Sequence, residues 1–284
     1  MKKIDSHHHL WDLNVRPQTW QSGKKFDPVR RNFGISDLKN AIADTEITHT
    51  FLVQTVMNYD ETPELLVTAN ENDLILGVTG WLKIDDKDAM LHLENYESLP
   101  GANYLKAIRD IAHDYADVNY LAKPQVIKNC KELGTQDYVY ELLTKTEQMP
   151  AAIELVHSAP NTMFVLDHIS KPRIAAGEIE PWASHIKTLA KFDNLTCKVS
   201  GMITEAKWNS WKLSDYKPYF DIVLENFGTN RIMFGSDWPV ALLSGTYKKV
   251  YELAEYLTND FSNSEKQKFW FDNAKSVFGL DINY

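Results

Sequence analysis

The sequence is poor in cysteine, in positive charge and in long apolar runs. Its two cysteines, Cys130 and Cys197, are far apart, which is typical of a reducing compartment and argues against a disulfide scaffold. The formal charge of −9 argues against nucleic acid or an anionic membrane as a partner. No apolar run approaches the roughly 18 residues that span a bilayer, and Lys2-Lys3 does not lead into the apolar core of a signal peptide. We therefore predict a cytoplasmic protein.

Short β-branched runs alternate with longer amphipathic ones along the 284 residues, the pattern of parallel βα units. The predicted strands are Met1–His7, His49–Gln54, Ile75–Leu82, Tyr104–Arg109, Asp137–Leu143, Thr162–His168, Leu195–Ser200 and Arg231–Ser236. The predicted helices are Ser36–Ala43, Pro63–Asn70, Pro124–Leu133, Thr146–Ser158, Trp182–Lys191, Pro218–Phe227, Tyr247–Leu257 and Glu265–Phe278.

Eight βα units over this length predict an α/β fold, a (β/α)8 TIM-like barrel that forms one domain over residues 1–284. A doubly wound open sheet is the main competitor. It is disfavoured because no Gly-x-Gly-x-x-Gly follows any predicted strand.

Ionisable side chains stand where several predicted strands end, which in a barrel is the face that carries the chemistry. His7 and His9 lie two residues apart on an extended segment, so their imidazoles share a face and can bind one ion. His168 ends the sixth strand and Asp237 follows the eighth. Three imidazoles and a carboxylate can hold a divalent ion such as zinc beside a water molecule. Taken singly, the histidines could be a purification-tag remnant, and Asp237 could cap a helix.

Five further residues are predicted to bind substrate. Arg109 and Lys171 can bind hydroxyl groups or neutralise developing charge, with ion pairs as the alternative. Trp81 and Trp238 can form an apolar wall, unless they belong to the core, and His113 can contact substrate or lie at the surface. Other polar residues near strand ends are Gln54, Glu141 and Lys198.

Five segments in this order resemble the amidohydrolase superfamily: Asp5-Ser-His-His-His-Leu-Trp, Val78-Thr-Gly-Trp, Val165-Leu-Asp-His-Ile-Ser-Lys-Pro, Cys197-Lys-Val-Ser-Gly and Met233-Phe-Gly-Ser-Asp-Trp-Pro-Val. The sequence is most similar to the metal-dependent hydrolase branch (amidohydrolase 2) that contains L-fuconolactonase and L-rhamnonolactonase. The resemblance implies a distorted barrel that opens a sugar-acid lactone to the aldonic acid. It also implies that His7, His9, His168 and Asp237 are the metal ligands.

Two departures from the superfamily pattern affect the expected site. Binuclear members use a carboxylated lysine on strand four and a histidine on strand five, but here Lys106 lies inside strand four and Tyr138-Val-Tyr-Glu-Leu-Leu lacks a histidine. One metal or none is therefore expected. The branch usually reads Gly-Ile-Arg-His after strand four, whereas this chain reads Ala107-Ile-Arg-Asp. Asp110 is thus predicted to place a carboxylate near the pocket and to change substrate preference.

The resulting hypothesis is a sugar lactonase in which Asp237 is the general base and His168 completes the metal site or donates to the oxyanion. Its partner is a small-molecule sugar lactone, and a homo-oligomer is compatible with the sequence. A non-oxidative decarboxylase of an aromatic or unsaturated acid is the alternative, since it would use the same residue set. A barrel that only binds a ligand is the third interpretation.

Overall fold

The barrel predicted from the sequence is confirmed by the arrangement of its strands. The computed structural model describes residues 2–282, and eight parallel strands follow one another around the sheet in the order β1 to β8. The strands are β1 Lys3–His8, β2 Ile47–Val53, β3 Ile75–Trp81, β4 Leu105–Asp110, β5 Val139–Leu142, β6 Phe164–Leu166, β7 Leu195–Val199 and β8 Ile232–Phe234. The predicted start of β1 at Met1 lies outside the described residues.

The helices surround the strands. They are α1 Ile35–Ile42, α2 Glu61–Asn70, α3 Ala89–Glu97, α4 Pro124–Thr135, α5 Met149–Ser158, α6 Trp182–Leu189, α7 Met202–Glu205, α8 Lys217–Phe227, α9 Tyr247–Leu257, α10 Asn263–Gln267 and α11 Asn273–Val277, with a π-helical turn at Lys268–Asp272. Between Lys2 and Ile282, no helix is both long enough and apolar enough to cross a membrane.

Two helices were not predicted from the sequence. Helix α3 buries Ala89, Leu93 and Tyr96 but exposes more than half of Leu91, so its apolar residues do not mark a single face. Helix α7 has only four residues, which is too short to show a helical period.

The inside of the barrel changes character along its axis. At one end an apolar cluster joins inward-facing strand residues to the C-terminal segment, and the rings of Phe51 and Phe278 stack with centroids 4.1 Å apart. The polar side chains that end the strands lie toward the opposite, carboxyl end. The hydrocarbon layer closes one end of the barrel, so ligands must enter from the other.

The barrel closes where the loop after β8 meets β1. The backbone N–H of Asp237 donates to the His7 carbonyl at 2.8 Å, and the N–H of His9 donates to the Trp238 carbonyl at 2.7 Å. The buried carboxylate of Asp5 joins the same two segments. It accepts hydrogen bonds from the backbone N–H and the hydroxyl of Ser236 at 2.8 and 2.6 Å, and from the His7 N–H at 3.1 Å.

Tyr247 of α9 completes the junction by donating its hydroxyl proton to Asp5 at 2.9 Å. Burial raises the pKa of the Asp5 carboxyl to about 6 despite these four hydrogen bonds. The junction fixes the positions of His7 and Asp237 relative to each other.

Substituting Asp5→Ala should lower the free energy of unfolding by about 3 kcal/mol or more, because several buried donors lose their shared acceptor and each costs about 1–3 kcal/mol. Urea unfolding followed by circular dichroism would measure this loss. Tyr247→Phe removes one donor and leaves the acceptor in place, so it should cost about 1 kcal/mol. Equal losses for the two variants would contradict the role given to the carboxylate.

Candidate active site

The structure brings the four predicted metal ligands together at the carboxyl end of the barrel. The Oδ1 atom of Asp237 lies 3.3 Å from His9 Nε2, 3.9 Å from His168 Nε2 and 4.0 Å from His7 Nε2. The Nε2 atoms of His7 and His9 are 3.3 Å apart. Each of the four residues is buried, with at most 4% of its surface exposed.

Several hydrogen-bond acceptors lie close together in this cluster. The cluster has too few N–H groups for every close contact to be a hydrogen bond. The Nδ1 atom of His9 lies 2.8 Å from the Val53 carbonyl oxygen, which can only accept, so Nδ1 carries the proton. The Nε2 atom of His9 then faces the Asp237 carboxylate. Burial lowers the pKa of both His7 and His168 well below the usual histidine value, so these two rings are neutral.

A divalent ion fits this donor set. Ligand atoms of His7, His168 and Asp237 all lie within 4.8 Å of one another, and the Nε2 atom of His9 lies 3.3 Å from the same carboxylate. Neutral imidazole and carboxylate are the ligands that zinc and similar ions prefer. A cation among these atoms would remove the repulsion between their lone pairs.

His168 is presented by an unusual backbone turn rather than by a strand. Strand β6 ends at Leu166, and residues 168–171 are all left-handed, with φ of 54°, 47°, 61° and 48°. Residues other than glycine rarely adopt this left-handed backbone conformation, and each such residue costs on the order of 1–3 kcal/mol. The turn is stabilised by Trp182, whose indole N–H donates to the Ile169 carbonyl at 2.7 Å, and by a 2.6 Å bond between the Ser170 and Thr144 hydroxyls.

The segment after β7 supports the His168 ring. Ser200 places its hydroxyl 2.8 Å from His168 Nδ1, and Gly201 follows with a left-handed φ of 61°. A Cβ atom on Gly201 would lie 2.6 Å from His168 Nδ1, so the ring occupies the space that any other residue would fill. This contact explains why the segment Cys197-Lys-Val-Ser-Gly ends in glycine.

A cavity of about 290 Å³ opens above the cluster. Six of the nine predicted site residues line it, namely His9, Arg109, His113, His168, Lys171 and Asp237. His7 lies beneath the lining and is fully buried. The side chains that the sequence did not single out are Trp20, Phe26, Thr55, Ile111, Asp114, Leu143, Lys145, Thr204, Glu205, Trp208, Val240 and Leu243.

Two basic side chains at the cavity have acidic partners. Lys171 forms an ion pair with Glu205, and His113 Nε2 lies 3.2 Å from Asp114 Oδ1. Arg109 is deeper, with Nη1 3.4 Å from His7 Nε2 and Nη2 donating to the Gln54 carbonyl at 2.5 Å.

Three sequence-based expectations need correction. Trp81 and Trp238 lie outside the cavity lining: the Trp81 indole donates to Asp110 Oδ1 at 3.0 Å, and the Trp238 ring packs edge-on against Phe33 with centroids 5.3 Å apart. Asp110 is also buried away from the cavity, since it accepts from Trp81 and, at 2.5 Å, from the Tyr120 hydroxyl. Neighbouring residues of a strand point to opposite faces, so Arg109 turns inward and Asp110 turns outward.

Comparison with known proteins identifies the family. A family model described as Amidohydrolase (Amidohydro_2) matches residues 4–280. The chain belongs to the amidohydrolase family. It is 30% identical to an L-fucono-1,5-lactonase of Burkholderia ambifaria over 86% of this chain and 83% of that protein. An L-fucono-1,5-lactonase of Burkholderia multivorans is 29% identical over 98% of this chain and 96% of that protein.

A solved structure shares the entire barrel. The amidohydrolase of Burkholderia multivorans, crystallised with bound zinc, superposes with a TM-score of 0.91 at 28% identity. The match covers 99% of this chain and 100% of the solved chain.

Beneath the ligand cluster, the amidohydrolase buries a group of four charges. Lys198 Nζ lies 2.6 Å from Glu141 Oε1 and 3.3 Å from Asp167 Oδ1, while Arg109 Nη1 donates to Asp167 Oδ2 at 3.1 Å. Burial raises the pKa of Glu141 by more than Lys198 lowers it, whereas Lys198 and Arg109 outweigh burial and lower the pKa of Asp167. The sequence placed Arg109, Glu141 and Lys198 near strand ends but did not indicate that they form one buried group.

Substituting Gly201→Ala should weaken Zn²⁺ binding at least tenfold, because the added Cβ displaces the His168 ring. Competition with a chromogenic chelator would measure the affinity. Gly177→Ala is the matched control: Gly177 also has a left-handed φ, 68°, but nothing lies within 4 Å of its added Cβ. Both variants should lose about 1–2 kcal/mol of stability from the backbone alone. Equal zinc affinities would show that the contact with His168 does not matter.

Proposed function

We propose that this amidohydrolase opens a sugar-acid lactone to the free acid by attack of water on the carbonyl, and that it uses one divalent ion, zinc. The observation that carries the proposal is the cluster of buried acceptors around Asp237 at the base of a cavity of about 290 Å³. The two relatives named L-fucono-1,5-lactonase support the reaction class, and the zinc-bound neighbour supports the metal.

The metal would be held by His7, His9, His168 and Asp237. When bound, such an ion lowers the pKa of water and polarises the lactone carbonyl. Burial keeps the imidazoles of His7 and His168 neutral, so each can offer a lone pair, and the hydrogen bond of His9 Nδ1 to the Val53 carbonyl orients His9 Nε2 toward the site.

Asp237 is proposed as the general base. Burial raises the pKa of its carboxyl, but its contacts with His168 and His9 more than offset this, so the pKa lies below its usual value. The carboxylate is therefore ionised at neutral pH and can accept a proton from the attacking water. The same proton can then pass to the ring oxygen as the ester bond breaks.

Arg109 is proposed to stabilise negative charge on the carbonyl oxygen. Its guanidinium lines the cavity and is permanently charged. Contacts with Gln54 and Asp167 hold it in place before substrate arrives, as electrostatic stabilisation of a transition state requires.

The rim of the cavity is proposed to bind the sugar. Lys171 and His113, each paired with an acid, offer hydrogen bonds to hydroxyl groups. The apolar wall expected from Trp81 and Trp238 is supplied instead by half-buried rings that line the cavity, those of Trp20, Phe26 and Trp208.

The reaction class can be tested with a panel of aldonolactones in weak buffer containing a pH indicator. Wild-type protein should release acid, and Asp237→Asn should lower kcat/KM by at least about 10³-fold, because both a metal ligand and the base are lost. Asp221→Asn, on the exposed face of α8, should match wild type. Release of CO₂ from aromatic acids, with no acid from any lactone, would replace the lactonase with the decarboxylase.

The pH profile tests the assignment of the base. Asp237 and His168 both act in their deprotonated forms, and both have a lowered pKa. Protonation therefore begins only in acid solution, and kcat/KM should stay level from pH 8 down to below about 6.5, the usual pKa of histidine. Spontaneous lactone hydrolysis, measured without enzyme, is subtracted at each pH. Loss of half the activity at or above pH 6.5 would contradict the assignment.

A further inference from the structure

The imidazole of His7 lies between two different pairs of partners. On one side, Nδ1 is 3.5 Å from the Asp167 carboxylate and 3.3 Å from the Lys198 ammonium. On the other side, Nε2 is 3.4 Å from Arg109 Nη1 and 3.3 Å from His9 Nε2. A neutral imidazole carries a single N–H, so these partners permit two tautomers.

The two tautomers have opposite consequences for the site. In the first, Nδ1–H donates to Asp167 and the Nε2 lone pair of His7 faces the ligand cluster. In the second, Nε2–H points toward His9 and Nδ1 accepts from Lys198. Only the first leaves Nε2 free to bind a metal.

Three contacts favour the first tautomer. Within residues 2–282, the buried Oδ1 atom of Asp167 accepts no hydrogen bond, although the Lys198 ammonium lies 3.3 Å away, so an N–H from His7 would satisfy it. Lys198 can only donate, but it has a closer partner in Glu141, at 2.6 Å, than in His7 Nδ1, at 3.3 Å. Arg109 can also only donate, and its Nη1 atom faces Nε2 at 3.4 Å, which favours an Nε2 atom that accepts.

We propose that Asp167 is a positioning residue that holds His7 as the Nδ1–H tautomer and so keeps Nε2 available to the metal. When a histidine binds a metal through one ring nitrogen, a carboxylate that accepts the N–H of the other ring nitrogen orients the ring and raises its basicity. Asp167 does not line the cavity, and it reaches the ligand cluster through His7 while also holding Arg109.

The rest of the buried cluster keeps Asp167 ionised. Ligand atoms of His7, Glu141 and Asp167 approach within 4.8 Å of one another, an arrangement that could itself hold a metal. The ammonium of Lys198 already lies between the two carboxylates, and Arg109 contributes the second positive charge. Two carboxylates are thereby balanced by two cations. The cluster of His7, His9, His168 and Asp237 is left as the metal site.

The inference rests on the metal site proposed above, but it can be tested on metal-free protein without any substrate. Long-range ¹H–¹⁵N correlation spectra of protein labelled at histidine report which ring nitrogen carries the proton. The His7 signals are assigned by their absence from His7→Gln. Wild type should show Nδ1 protonated and Nε2 bare, and a His7 with its proton on Nε2 would overturn the proposal whatever any variant does.

Asp167→Asn then tests the cause. Its single oxygen must serve Arg109 and Lys198, so His7 should lose the Nδ1–H tautomer and zinc affinity should fall 10- to 100-fold. Asp110→Asn is the matched control, since Asp110 is also a fully buried carboxylate but contacts neither His7 nor the cavity. The control should preserve both the tautomer and the zinc affinity.

Two results would count against the proposal for Asp167. One is an Asp167→Asn protein with an unchanged His7 tautomer and unchanged zinc affinity. The other is an equal loss of zinc affinity in Asp110→Asn, which would indicate general damage to the barrel. Neither result depends on lactone hydrolysis, so the proposed activity stands or falls separately.

Discussion

The site depends on the contact between the first strand, β1, and the loop that follows the last strand, β8. Asp5 and Ser236 are separated by 231 positions, yet the carboxylate of one binds both the backbone and the hydroxyl of the other. Because His7 follows Asp5 on β1 and Asp237 follows Ser236, this junction places an imidazole beside a carboxylate. The four hydrogen bonds offset part of the cost of burying a charged group. The part of the cost that they do not offset raises the pKa of Asp5.

Above the apolar end, the interior is built as successive charge layers. Lys198, Glu141, Arg109 and Asp167 form a balanced group in the middle, where unpaired charge would be costly. Three imidazoles and one carboxylate lie at the mouth. The balanced group contributes no net charge to the mouth, so it does not neutralise the acceptors around Asp237. This arrangement supports the metal site proposed at the mouth rather than one in the middle of the barrel.

Sequence reasoning predicted the barrel and the convergence of the four candidate ligands because both have local signals. Buried parallel strands are continuous apolar runs, and ligands stand at the points where those runs stop. The direction of a side chain is harder to predict, since a shift of one residue moves it to the opposite face. Asp110 was misplaced for this reason. Trp208 was missed because it lies in an irregular segment. Such a segment has no helical or strand periodicity from which the direction of a side chain can be predicted.

Rigid and adaptable parts of the site are therefore carried by different segments. His168 is held by a left-handed turn and by the close approach of Gly201, arrangements that tolerate little movement or substitution. Trp20 and Phe26 instead lie on the long connection between β1 and α1 and remain half-buried. Loops of this kind can change without disturbing the packing of the strands. Changes in the sugar that is recognised can thus arise in the connections, while the residues proposed to carry out the hydrolysis stay fixed by the barrel.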